Sequence, residues 1–245
     1  MPRFVVTRDD RTIDIAFDDG GVNLLSAAAL KELSDLVARF RGSAVAEADT
    51  AQPHNRTTAQ LLLFRSAHPS IFAAGADMAE MQRFTPLEAA EFARSGQETF
   101  AAIEKLPMVT VAIVDGDCFG GALDLVMSFD LRFATPRSRF SHPGSKLGIV
   151  TGFGGTSRWR RVLDRSAARS LFLGNPVLGA EEAQRLGLVD RMAEEFSAEM
   201  RHLVTLDAGV VQFVKELTIH ADALGRSDLL LVAESLGHIY FSAEY

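Results

Sequence analysis

The sequence predicts an α/β protein with a helical tail, on three observations. Strand-like apolar runs alternate with helix-periodic segments from residue 4 to about residue 190. From residue 199 onward the apolar spacing is helical throughout. Two glycine-rich turns, at 72–77 and 116–122, each follow an apolar run of buried-strand type. Strand–helix alternation of this kind favours a largely parallel sheet covered by helices. The reading divides the chain into a core over 1–190 and a C-terminal helical region over 191–245.

The elements follow in order. Phe4-Val5-Val6-Thr7 and Ile13-Asp14-Ile15-Ala16-Phe17 flank a polar Asp9-Asp10-Arg11 turn, which predicts a hairpin. Leu30, Leu33, Val37 and Phe40 recur at helical spacing, and Ser26 is placed to cap a helix over 27–40. Residues 41–60 are polar around Pro53, His54 and Asn55 and read as a loop or insertion. Leu61-Leu62-Leu63-Phe64 reads as a buried strand. Thr85, Pro86 and Glu88 form a capping-box signature for a helix that Pro107 ends. Val109–Val114 and Leu131–Ala134 are further strands, and the glycines of 152–155 open another helix. A short helix over 180–186 stops at Gly187.

Composition bounds the function. The chain has 245 residues, 47% hydrophobic and 23% charged, which are globular values with length enough for a real core. A net charge of −7 argues against a nucleic-acid partner, which would want a basic face. It leaves room for an anionic small ligand, because a few local N–H groups can hold one inside an acidic protein. Cys118 is the single cysteine, so a reducing, cytoplasmic setting is expected. The start of the chain shows no signal-peptide pattern, and no apolar run approaches the ~20 residues of a membrane helix, so no membrane partner is expected.

The two glycine-rich turns carry the chemistry. A strand-to-helix junction leaves the first N–H groups unpaired and adds positive potential, and glycine lets a ligand approach the backbone. Two such N–H groups converging on one point make an oxyanion hole, each donor worth roughly 100- to 1000-fold in rate. Taken locally, Gly120-Gly121 also fits a simple tight turn.

The segment Phe72-Ala73-Ala74-Gly75-Ala76-Asp77-Met78-Ala79-Glu80-Met81 is very similar to a signature of the crotonase (enoyl-CoA hydratase/isomerase) family. Ala112–Gly116 with Phe119-Gly120-Gly121-Ala122 resembles that family's second segment. Gly148–Thr156, and Ala180–Ala183 with Gly187-Leu188-Val189, resemble its later landmarks in the right order. The resemblance implies a crotonase-like spiral of ββα repeats, two packed sheets surrounded by helices, with a C-terminal helical trimerisation region. It implies a homotrimer or a dimer of trimers. It implies that coenzyme A enters as part of the substrate, an acyl-CoA or phosphopantetheine-bound thioester, with no separate cofactor and no metal. By position, Ala76 and Gly121 would be the oxyanion donors. Leu24, Leu25, Ala74, Gly75, Asp77 and Gly120 would border the coenzyme A, and Phe241 would meet the adenine of a neighbouring subunit.

The resemblance also implies a pair of glutamates in hydratases. Their positions are held here by Asp124 and Gly144. Asp124, one methylene short, is a candidate acid/base and equally a cap or ion-pair partner. His142 is a candidate replacement acid/base and equally a locally bonded packing residue. Ser141, Ser145 and Lys146 read as structural or solvent-facing. Cys118 and Trp159 read as packing, and Met78, Met81 and Met127 as pocket or core lining. The expected function is stabilisation of a thioester enolate, with proton transfer on an enoyl-CoA foremost. Hydrolysis or decarboxylation, plain hydration, and a non-catalytic acyl-CoA-binding role remain as alternatives.

Overall fold

The computed structural model describes residues 2–9, 11–48 and 59–219. The hairpin is present: β1 (Phe4–Arg8) and β2 (Thr12–Phe17) pair antiparallel, Val6 opposite Ile15. After β3 (Leu24–Leu25), α1 runs Ala27–Ala48, its start capped by the Ser26 hydroxyl accepting from Ala29 N–H at 3.2 Å. The helix therefore extends eight residues into the stretch read as a loop. Alanine, the strongest helix former, stands at 44, 46 and 48, which favours continuation of the helix past Gly42. Residues 49–58 lie outside the described residues.

The chain continues through β4 (Leu61–Ser66), β5 (Ile71–Ala73), β6 (Gly75–Ala76), α2 (Met78–Met81) and α3 (Pro86–Glu104). The capping box of α3 is complete, with Glu88 Oε2 accepting from Thr85 N–H at 2.7 Å and Thr85 Oγ1 from Glu88 N–H at 3.3 Å. Then come β7 (Val109–Val114), β8 (Asp117–Phe119), α4 (Gly121–Val126), β9 (Leu131–Ala134) and β10 (Arg139–Ser141). A 3-10 turn over Pro143–Leu147 leads to α5 (Gly155–Arg158), α6 (Arg165–Arg169), β11 (Leu178–Gly179), α7 (Ala180–Arg185) and β12 (Arg191–Met192). Finally α8 (Ser197–Leu203) and α9 (Ala208–Ile219) follow.

Strand pairing explains the architecture. A six-stranded sheet runs β1-β2-β4-β7-β9-β12, parallel from β2 onward, and a four-stranded sheet runs β11-β10-β8-β5. Each pass of the chain contributes one strand to the first sheet and the next strand to the second: β4 then β5, β7 then β8, β9 then β10. That is the ββα spiral, and β3 with β6 makes a separate two-stranded ladder.

Both faces of the large sheet are covered, which is why its strands read as unbroken apolar runs. Leu62, Phe64, Ala112 and Val114 face the main core, where Phe64 packs on Phe72 at 5.9 Å and Phe129 at 5.5 Å. The alternate residues Leu61, Val109 and Val111 face a second cluster with Phe133, Phe196, Leu203 and Val211. Phe196, Leu203 and Val211, all beyond residue 190, thus cover the outer face of the sheet. Lys215 ties α9 down, its ammonium donating to Met108 O at 2.9 Å and pairing with Asp130 at 2.7 Å. Residues 220–245, the remainder of the expected helical region, lie outside the described residues. No helix among the described residues is long and apolar enough to cross a membrane.

Candidate active site

The two glycine-rich turns meet backbone to backbone. Gly75 has φ +98°, and a β-carbon there would lie 2.6 Å from Phe119 O and 3.0 Å from Gly121 N. Only glycine permits both the conformation and the approach. A β-carbon on Gly121 would in turn sit 3.4 Å from Ala76 N, so the Ala76 and Gly121 amides border the same space.

The amides are free for different reasons. Gly121 is the first residue of α4, its N–H has no partner within the helix, and no side chain caps that end. Ala76 was expected at a helix start, but it lies in β6, paired with Leu25. Asp77 N–H reaches Leu25 O at 3.4 Å, and N–H directions alternate along a strand, so the Ala76 N–H points away from β3. The β3 strand that holds it is fixed by Asn23, a fully buried residue at φ +58°. Its amide donates to Phe17 O, Ser66 Oγ and Phe72 O at 2.8–3.1 Å.

Both amides open on a cavity of about 310 Å³, walled by Ala74, Ala76, Gly120, Gly121 and His142 together with apolar side chains of the α2–α3 segment and of 147–153. The remaining predicted contacts are placed otherwise. Leu25, paired with Ala76, has no exposed surface, so its side chain does not flank a nucleotide as expected. Asp77 uses its carboxylate to cap α2, accepting from Glu80 N–H at 3.0 Å. Gly75 is buried against the second turn, and Leu24 is half-buried opposite it. Phe241 lies outside the described residues.

Asp124, read as an acid/base or an ion-pair partner, lies against His142. Its carboxylate is fully buried and is not part of the cavity wall. Oδ2 accepts the Thr151 hydroxyl, and Oδ1 has no hydrogen bond but lies 3.4 Å from His142 Nε2, which is likewise unpartnered. The space for this carboxylate exists because residue 155 is glycine: a β-carbon there would overlap Asp124 Oδ1. His142, 4% exposed, packs its ring at a tilt against Phe172, centroids 5.0 Å apart, and does reach the cavity. A β-carbon on Gly144 would sit 3.3 Å from His142 Nδ1 and 2.9 Å from Ile149 O, so the imidazole occupies room that a side chain at 144 would need.

Sequence reading missed Asn23, Thr151 and Gly155. Asn23 was detectable, since a polar residue two after a Gly-Gly pair and just before Leu-Leu suits a positive-φ corner. Thr151 and Gly155 acquire meaning only through contacts with Asp124, about 30 residues earlier. Cys118 is a core residue, and burial first, then the Asp124 and Asp117 charges, push its thiol pKa well up. Among the described residues no three His, Cys, Asp or Glu side chains cluster as a metal site.

The enoyl-CoA hydratase/isomerase family description matches this chain over residues 12–208, well over half its length. The chain belongs to the enoyl-CoA hydratase/isomerase family. A crotonyl-CoA hydratase of Syntrophomonas wolfei is 37% identical over 146 residues, covering 59% of this chain and 56% of that protein. A short-chain-enoyl-CoA hydratase of Clostridium acetobutylicum is 31% identical over 173 residues, 71% of this chain and 61% of that one. The matches thus span little more than half the length of these curated relatives. The structure of an enoyl-CoA hydratase from Thermoplasma volcanium superposes with a TM-score of 0.86 over 100% of this chain and 94% of the other. At 22% identity that likeness speaks for the fold of this family member alone.

Proposed function

We propose that the protein binds a coenzyme A or phosphopantetheine thioester with its carbonyl oxygen between the Ala76 and Gly121 amides. On this reading it moves a proton on the adjacent carbons through His142, an isomerase-like shift of an enoyl double bond. The observation that carries the proposal is the pairing of two unspent amides with a single titratable side chain on one cavity wall.

The roles follow from the geometry. Electron density pushed onto the thioester oxygen as the α-proton leaves is met by two fixed donors. His142 turns Nε2 towards Asp124, so the neutral tautomer with Nε2–H leaves Nδ1, on the Gly144 side, as the base. Asp124 then steadies the imidazolium formed when Nδ1 takes the proton. Nε2 and Oδ1 are 3.4 Å apart, close enough for a small tightening on substrate binding to make the hydrogen bond. One base that takes a proton from one carbon and returns it to another suffices for a 1,3-shift. Hydration asks for two groups acting on one water, and the positions that the resemblance gives to the hydratase glutamates fall on Asp124, behind the wall, and Gly144.

The names of the relatives favour hydration as a second reading. The two separate spectroscopically. An isomerase creates the conjugated-thioester absorbance from a 3-enoyl-CoA, while a hydratase bleaches that of crotonyl-CoA. Loss of crotonyl-CoA absorbance without formation of conjugated product from the 3-enoyl isomer would replace the first reading by the second. Self-association as a trimer or hexamer belongs to the same proposal, tested by sedimentation.

A further inference from the structure

The acyl end of the cavity has a chemical character that narrows its substrate. Phe92 packs edge-on to Phe153 at 5.1 Å and against Phe84 at 5.2 Å, so three rings form one continuous surface. Beside them on α3, Ala89 and Ala93 face the cavity one helical turn apart. Among the described residues no Lys, Arg, Asp or Glu lines this space, and His142 is the titratable group on its wall. A buried cation lies behind the wall, but it is spent. Arg158 donates to Phe153 O at 2.8 Å and pairs with Glu104 at 2.9 Å, facing away from any ligand.

Resting on the thioester placement proposed above, we infer that the protein selects a short, uncharged hydrocarbon acyl group and rejects one ending in a second carboxylate. A carboxylate among these rings would lose its hydration and gain neither a cation nor a set of N–H donors in return. Size points the same way, since about 310 Å³ is at the small end of the roughly 300–1,000 Å³ of ligand pockets. Ala93 is the position that sets the selectivity. It is half-buried on the cavity side of α3, and its methyl leaves the space that a longer side chain would fill.

The test is calorimetric titration of the whole protein with two saturated thioesters of equal carbon number, pentanoyl-CoA and glutaryl-CoA, with free coenzyme A as baseline. The expected result is pentanoyl-CoA bound at least ~100-fold more tightly than glutaryl-CoA, with Ala93→Lys, which adds an ammonium to the wall, narrowing that gap at least ~10-fold. Equal or tighter binding of glutaryl-CoA by the unaltered protein would overturn the selectivity while leaving the proposed function standing. Pentanoyl-CoA bound no better than free coenzyme A would overturn both. Should Ala93→Lys unfold, the comparison on the unaltered protein decides alone.

Discussion

Replacing Asp124 by asparagine keeps the shape of the buried side chain, and keeps an oxygen for the Thr151 hydroxyl, but removes the charge facing His142. The structure sets the size of the effect. Nε2 and Oδ1 are 3.4 Å apart, and unit charges at that distance attract by about 5 kcal/mol at an effective dielectric near 20. That attraction exists only while His142 carries the substrate's proton. If about half of it is already present at the transition state, the loss is roughly 50-fold, and if all of it is, roughly three and a half orders of magnitude. The assay is α-proton exchange of bound butyryl-CoA in deuterated water, followed by NMR. His142→Gln is expected to cost as much, and the double variant little more than either alone, because the two residues act as a unit. The melting temperature of Asp124→Asn should hold or rise, since a buried carboxylate with one unbonded oxygen is relieved. Exchange undiminished in both single variants would refute the dyad. Exchange lost together with a collapse in melting temperature would assign Asp124 to the fold instead.

Other consequences follow from the same geometry. Gly155→Ala puts a methyl where Asp124 Oδ1 now sits, so about 1–3 kcal/mol of stability should be lost to overpacking, together with activity; denaturant titration checks it. Gly116→Ala, at φ +105° with its new methyl driven into Ser70 O, should destabilise by more than ~3 kcal/mol or prevent folding, read from soluble yield and chemical denaturation. Cys118, its thiol held neutral by burial, should resist thiol reagents at pH 8 until the protein unfolds, and rapid labelling of the native state would contradict its placement. Burial lowers the pKa of Lys215 in the folded state despite the Asp130 charge. The unfolded chain therefore binds the extra proton between that lowered value and the ordinary 10.5, and stability rises with pH across that window. The stability of the unaltered protein relative to Lys215→Met should thus increase as the pH rises towards 10.5, and a flat difference would contradict it.

Much of the fold was legible because local signals agreed with the global arrangement. The capping box at Thr85–Glu88 and the buried strand at Leu61–Phe64 are written in side-chain chemistry, and the folded chain uses both as read. The two turns were legible as places where glycine is needed. Their meeting was not a local property, and it reached the sequence reading through resemblance. The reason Ala76 is free was misread, because a bulge between Ile71 and Ala73 and a two-residue strand replace the expected helix start. Asp124 looked like a shortened version of a direct acid/base. Its retreat behind the wall depends on Gly155 and Thr151, whose contacts with it no periodicity announces. The extension of α1 to Ala48 was missed because the stretch was read from its polar centre around Pro53, which outweighed the alanines at 44, 46 and 48.

The main-chain donors at residues 76 and 121 are best tested by a crystal structure of the protein with butyryl-CoA. The thioester oxygen should lie within roughly 2.7–3.1 Å of both amide nitrogens, with His142 Nδ1 facing the α-carbon. A thioester oxygen bonded to neither amide, with the acyl chain outside the Phe84–Phe92–Phe153 surface, would contradict it.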